Sequence, residues 1–237
     1  MKNLPIYCSV LALALCLTGC QPKASANQGG GTTTAEKQGE PAAPKMPDAL
    51  KSDGYYYYGL DNTKPLTYTV TEGNEKPMEG VQTVQLKSAD KDASFTISRT
   101  GALTSMGDED LIVKSDGVYL VRSNWGPVEP AMLSFPAKAT EGFSWKTAST
   151  MKGQDDRTMT LECTWTIGKG EKVKTEAGEF DTVKVTGEGN LSVDTEKHPL
   201  NAEGWYSKQV GAVKLIVKSK DDKGKEKSSV VELKKVG

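Results

Sequence analysis

Between Arg157 and Gly168 the chain alternates strictly. Met159, Leu161, Cys163, Trp165 and Ile167 are apolar, and Thr158, Thr160, Glu162, Thr164 and Thr166 separate them. A period of two held over this length predicts a β-strand with one buried and one solvated face. It also places the Cys163 thiol on the core side, with Leu161 and Trp165. The same rule predicts strands over Leu66–Val70, Val81–Lys87, Ser94–Arg99, Leu111–Lys114, Val118–Arg122, Phe143–Ser149, Lys172–Thr175, Phe180–Gly187, Trp205–Lys208, Val213–Ser219 and Ser229–Lys234. Ser115-Asp116-Gly117 carries a tight-hairpin signal, and Asp221–Gly224 separates the last two strands. Trp125–Thr140 reads as a proline-punctuated loop and Asn190–Glu203 as a polar loop. Tyr55–Tyr58 opens the β region, with two tyrosines expected inside and two outside. Short helices fit only within Met46–Ser52 or Pro127–Met132.

Roughly ten or eleven such strands, joined mostly by hairpin turns, predict an all-β fold. The expected form is one antiparallel, strongly curved sheet: a half-barrel, a barrel or a sandwich. Glu176–Val185, EAGEFDTVKV, is expected to turn at Ala177-Gly178 and to bind nothing there. Phe180 differs in parity from Val183 and Val185, which calls for a bulge or twist near Asp181.

The first residues change the picture from fold to address. Met1-Lys2-Asn3 is a short basic start, an apolar run extends from Ile6 to Leu17, and Leu17-Thr18-Gly19-Cys20 follows. Such a run is an export signal and is too short for a membrane span. Its ending resembles the lipobox of bacterial lipoproteins. The resemblance implies cleavage between Gly19 and Cys20, with a diacylglyceryl thioether and acylation on Cys20. Residues 1–19 are then signal peptide, 20–52 lipidated cysteine and linker, and 53–237 the β domain. The linker has no aromatic, Val or Ile, and reads as a flexible tether of about 30 Å mean reach. Gln21, where Asp is associated with inner-membrane retention, favours an outer membrane.

Loss of Lys2 takes the 30 basic residues to 29 against 31 acidic, a net charge of −2. That balance argues against a nucleic-acid partner. Cys8 and Cys16 leave with the signal, so Cys163 has no thiol partner and is expected to be buried rather than reactive. No metal site is expected. His198 is the single histidine, and Asp108-Glu109-Asp110 and Asp155-Asp156 lack the spacing of a calcium loop. No cofactor loop is expected either, because Gly29-Gly30-Gly31 lies in the tether. Ser88–Lys91 and Ser149–Lys152 match Ser-x-x-Lys without the partner motifs of that chemistry. No residue is assigned as catalytic. Trp125, Trp145, Trp165 and Trp205 are core residues or line the mouth of a curved sheet.

From Pro136 to Val217 the chain resembles secreted bacterial domains of unknown function. Gly142-Phe143-Ser144-Trp145, Ala177-Gly178-Glu179-Phe180, Trp205-Tyr206 and Val210-Gly211-Ala212-Val213-Lys214 carry the likeness; Thr140 stands where the pattern has Pro. The resemblance implies a curved antiparallel sheet, often on a lipoprotein, and no reaction. The expected function is therefore a non-enzymatic envelope lipoprotein that binds a protein partner or an apolar ligand. A partner would use an exposed edge strand, and a ligand would need a Trp- and Tyr-lined cavity. One alternative is an envelope-polymer hydrolase, for which Glu162, Glu179 and Glu203 are the candidate carboxylates. Another is a structural or assembly lipoprotein.

Overall fold

The computed structural model describes residues 44–153, 157–220 and 226–237. The signal, Cys20, most of the tether, Asp155-Asp156 and the Asp221–Gly224 segment lie outside the described residues.

Twelve strands run in order: β1 (Leu66–Glu72), β2 (Met78–Ala89), β3 (Ala93–Gly101), β4 (Glu109–Lys114), β5 (Gly117–Ser123), β6 (Gly126–Pro136), β7 (Ser144–Lys152), β8 (Thr158–Thr175), β9 (Gly178–Val193), β10 (Glu196–Ser207), β11 (Gly211–Lys220) and β12 (Glu226–Val236). Each pairs antiparallel with its sequence neighbours, and β1 also pairs with β12, so the sheet closes into a barrel. Of the three curved forms expected, the barrel is the one adopted. In β8, Met159, Leu161, Cys163, Trp165 and Ile167 are buried while Glu162 and Thr164 are exposed. Apolar rows therefore point inward and polar rows outward.

Two segments read as loops are strands. β6 spans Gly126–Pro136 despite Pro127, Pro130 and Pro136. Two bulges interrupt its ladder to β5, and only Val128 and Glu129 pair with β7, so missing N–H donors are tolerated there. The indole Nε1 of Trp145 donates to the Leu133 carbonyl at 2.9 Å and bridges the gap that the short β6–β7 ladder leaves. The expected loop Asn190–Glu203 is the end of β9 and most of β10, joined at Asp194-Thr195. Asp194 takes φ 52° and its carboxylate accepts from the Thr158 amide at 2.9 Å. His198 accordingly lies on a strand.

Near EAGEFDTVKV, the separate strand expected over Lys172–Thr175 is the end of β8. The turn falls at Glu176-Ala177, and Gly178, with φ 136°, opens β9. The irregularity expected near Asp181 lies instead on the partner strand, between Ile167 and Gly170 of β8.

The tyrosine run is helical. Helix α1 (Asp53–Tyr57) is capped by Ser52, whose hydroxyl accepts from the Tyr55 amide at 3.3 Å. Asp53 in the first turn suits the helix dipole. Gly59, at φ 73°, then turns the chain where an added Cβ would lie 2.9 Å from the Val210 carbonyl oxygen. None of the four tyrosines is exposed, and Tyr55 and Tyr58 are buried. A 3₁₀ turn at Asp48–Leu50 precedes α1, and core packing begins at Met46. Together these elements close the barrel end that carries the β6–β7, β8–β9 and β10–β11 connections. Asp53 accepts from the Ala139 amide at 3.2 Å and from Lys208 at 2.5 Å there. At the opposite end a 3₁₀ helix, Ala102–Met106, buries Leu103 and Met106.

Gly187 of β9 seats the Trp165 indole; a Cβ added at Gly187 would fall 2.3 Å from the ring. Gly187→Ala is expected to destabilise the fold by about 2–3 kcal/mol through overpacking. Glu188→Ala, on the solvated face, should change stability by less than about 0.5 kcal/mol. Urea unfolding of the two variants checks the contrast.

Candidate functional site

Inside the barrel a charged pair sits where apolar packing is the rule. Arg99 of β3 meets Glu109, the first residue of β4, at 3.1 Å, with side-chain exposures of 4% and 0%. Arg99 also donates from Nε to Gln82 at 3.0 Å and from Nη1 to the Gly107 carbonyl at 2.8 Å. The Tyr58 hydroxyl, carried in by the chain just after α1, donates to Glu109 Oε2 at 3.5 Å. Glu109 Oε1 is buried and has no hydrogen-bond partner among the described residues. Burial pushes the Glu109 carboxyl above its ordinary range, against the pull of Arg99. Burial, and then the Glu109 charge, push the Tyr58 and Tyr206 hydroxyls upward as well.

Beside the pair is a cavity of about 30 Å³. That is room for one or two waters. Tyr68, Gln82, Arg99 and Tyr206 give it polar walls, and Leu103 and Met106 close it. Side chains fill most of the remaining interior, with a second void of about 10 Å³ among Met132, Phe135, Trp165 and Tyr206. Tyr57 stacks on Phe135 at 5.7 Å, Phe135 meets Tyr206 at 5.5 Å, and Trp145 stacks on Trp165 at 6.4 Å. Trp125, Trp145, Trp165 and Trp205 are all buried. Trp205 faces away from the core cluster, under Lys184, whose Nζ lies 4.8 Å from the ring centre.

The hydrolase carboxylates do not converge. Glu162 sits across from Asn190 and Glu203 across from Thr186, four positions apart on the intervening β9. Strand geometry puts them about 16 Å apart, beyond the roughly 5–10 Å of a carboxylate pair in glycoside hydrolysis. Glu179, near the β8–β9 turn, is farther still and is bound to Lys172 at 3.0 Å. The closer pair is one the sequence did not single out. Glu188 and Glu203 are diagonal neighbours on β9 and β10, in an outer-face groove of about 300 Å³ with Thr186, Asn201 and Lys218. A general acid needs a carboxyl kept protonated by apolar surroundings. Glu188 is exposed, and Glu203 is half-buried and paired with Lys184 at 3.1 Å.

Cys163 is buried as expected, and burial pushes its thiol up to about 12. His198 is on β10, its Nε2 3.8 Å from Glu196. Asp108 and Asp110 are used structurally: Asp108 accepts from the Arg99 amide at 2.9 Å and Asp110 from Arg122 at 2.6 Å. Among the described residues, no three His, Cys, Asp or Glu side chains gather as a metal site. The Arg99–Glu109 pair has no signature in the sequence beyond a charged residue at an inward parity in each of two strands.

Removing one partner of a buried ion pair strands the other, so Glu109→Ala should cost about 3–5 kcal/mol of stability by urea unfolding. The raised Glu109 carboxyl gives a pH signature of fixed sign. The folded state holds its proton more tightly than the unfolded chain, whose ordinary value is 4.5. The Glu109 contribution to stability is therefore full below that value and is lost as pH rises through the folded one. The difference in unfolding free energy between wild type and Glu109→Ala, followed from acid to neutral pH, should shrink accordingly. Cys163 in natively purified protein should resist a thiol reagent until denaturant is added, as mass spectrometry of the labelled chain would record.

Residues 128–233 match the family described as DUF3108-like. No curated protein matches the chain. Among solved structures, a predicted lipoprotein from Parabacteroides distasonis is similar with a TM-score of 0.51 and 14% identity, over 76% of this chain and 98% of that one. A predicted exported protein with a YmcC-like fold from Bacteroides fragilis is similar with a TM-score of 0.52 and 15% identity, over the same shares of 76% and 98%. At these identities the likeness is one of fold.

Proposed function

We propose that the protein is a lipid-anchored lipoprotein of the bacterial envelope that binds a ligand or partner and catalyses no reaction. The observation that carries this reading is the orientation of the barrel: polar rows outward, apolar rows inward. A barrel that spans a membrane has the reverse, an apolar outer band around a polar interior. Attachment then falls to the lipid on Cys20, which the lipobox resemblance implies. The descriptions of the two structural neighbours, one a lipoprotein and one an exported protein, support the same address. Gln21 favours the outer membrane.

Closure of the sheet narrows the ways of binding. With β1 paired to β12 the sheet has no terminal edge strand, and backbone left without a ladder partner is confined to stretches such as the β6–β7 gap beyond Val128 and Glu129 and the part of β2 beyond Gln82. The separation of Glu162, Glu179 and Glu203, and the solvated setting of Glu188 and Glu203, support a binding role over hydrolysis. Binding then falls to these short unpaired stretches or to the outer loops.

The test is intact-mass spectrometry of protein purified natively from membranes. The expected mass is that of a chain beginning at Cys20 with a diacylglyceryl group and a further acyl chain. An unmodified Cys20 would overturn the anchoring. Release of sugar from purified envelope polymers, abolished by Glu188→Gln, would overturn the non-enzymatic reading.

A further inference from the structure

The outer wall of a closed barrel is convex, yet a groove of about 300 Å³ lies across β9, β10 and β11. Its origin is on the inner side. Successive inward positions carry Gly187 and Gly189 on β9 and Ala202 and Gly204 on β10. An added Cβ would meet the Trp165 ring at Gly187 and would fall 2.5 Å from the Tyr206 ring at Gly204. The wall therefore sinks onto these two rings, and the outer surface dips above them. The groove also lies beside one of the short unpaired stretches. The β10–β11 ladder starts at Asn201 and Lys218, so Glu196–Leu200 have no partner on that side among the described residues. Strand register decides what faces the groove. Glu188, Asn201 and Lys218 stand in one row across the three strands, and Thr186, Glu203 and Ile216 stand in the next. Lys184 holds Glu203 at 3.1 Å. Glu188, Asn201 and Lys218 are exposed, and their side chains form no ion pair or hydrogen bond among the described residues. Two strand spacings, about 10 Å, separate the Cα atoms of Glu188 and Lys218. A free anion and a free cation thus face one groove from opposite sides, with an amide between them and Ile216 alongside.

We propose that this groove binds a zwitterionic dipeptide with small aliphatic side chains, its ammonium on Glu188 and its carboxylate on Lys218 and the Asn201 amide. The proposal rests on reading the protein as one that binds a ligand without catalysis. The ligand class follows from charge and span. With about 2.8 Å for each charged contact, the ligand's own charges stand roughly 4–6 Å apart. A single amino acid, whose charges flank one Cα, is too short, whereas a dipeptide covers the distance. The groove is at the small end of ligand sites, which suits a molecule of that size. Glu203, diagonal to Glu188, adds a second carboxylate near the ammonium, and Ile216 offers apolar contact to a methyl side chain. An uncharged sugar would engage neither free charge.

The probe is L-alanyl-L-alanine, titrated calorimetrically into the acylated full chain in phosphatidylcholine nanodiscs, with empty nanodiscs as blank. Saturable binding is expected. N-acetylation removes the ammonium of the probe and amidation removes its carboxylate, and each should weaken binding at least tenfold. Two variants separate the ends. Glu188→Gln should weaken binding of the free dipeptide at least tenfold and leave the N-acetyl form bound as in wild type. Lys218→Met should weaken the free dipeptide equally and leave the amide unaffected. Both side chains are exposed, so both variants should keep the urea midpoint of wild type. Absence of saturable binding, or equal affinity for capped and uncapped dipeptides, would sink the site. So would binding that survives Glu188→Gln and Lys218→Met together. Tighter binding of di-N-acetylchitobiose than of the dipeptide would rule out the peptide class. Mass spectrometry of the recovered probe separates this proposal from the reading beneath it. Intact dipeptide agrees with binding alone, whereas free alanine keeps the groove as the site and removes the non-enzymatic reading. The Cys20 mass is known beforehand, so failure of the groove and failure of the anchor are separate results.

Discussion

A closed sheet of twelve strands has to fill its own interior. Barrel diameter grows with strand number, and about eight strands give a bore that lining side chains fill unaided. At twelve the lining residues leave space, which this chain fills with segments that are not strands. The tyrosines of and after α1, with Met46 and Leu50 before them, enter at one end. Leu103 and Met106 enter at the other. The aromatic contacts from Tyr57 through Phe135 to Tyr206 show that this is packing and not a loose cover. Glycine placement follows the same constraint, since Trp165 fits only because position 187 has no side chain.

The Arg99–Glu109 pair belongs to that economy of space. Burying two charges is expensive unless geometry and hydrogen bonds compensate. Arg99 is well served, by Gln82, Gly107 and Glu109. Glu109 is served on one oxygen only. A core assembled for stability alone would have used aliphatic residues at these two positions. The pair fixes instead where β3, β4 and the Ala102–Met106 segment meet, and its Arg99 joins Tyr68, Gln82 and Tyr206 in the polar lining of the cavity.

The fold was legible where burial is one-sided. β8 reads directly from its alternation, and Cys163 was oriented correctly by parity alone. Legibility failed where another force competed with the pattern. Three prolines hid β6, because sequence gives no sign that its ladder is short. The β9–β10 turn at Asp194-Thr195 contains no glycine and so carried no turn signal. Four tyrosines favour a strand by propensity, yet the Ser52 cap and Gly59 enclose a segment that packs as a helix across the barrel mouth. The interior pair was illegible for a different reason. Parity marks each partner as inward, but the two meet through strand register in a curved sheet, and register is not written locally.

The pairing of β1 with β12 joins residues at the two extremes of the domain; Leu66 lies opposite Val236. The ladder that closes the barrel is thus its most non-local contact, and loop-closure entropy must be met before that contact contributes anything. A chain held short of β12 cannot form it, so the sheet stays open until all twelve strands are free to pair. Assembly is therefore all-or-none at this seam: the first strand of the sheet waits on the twelfth.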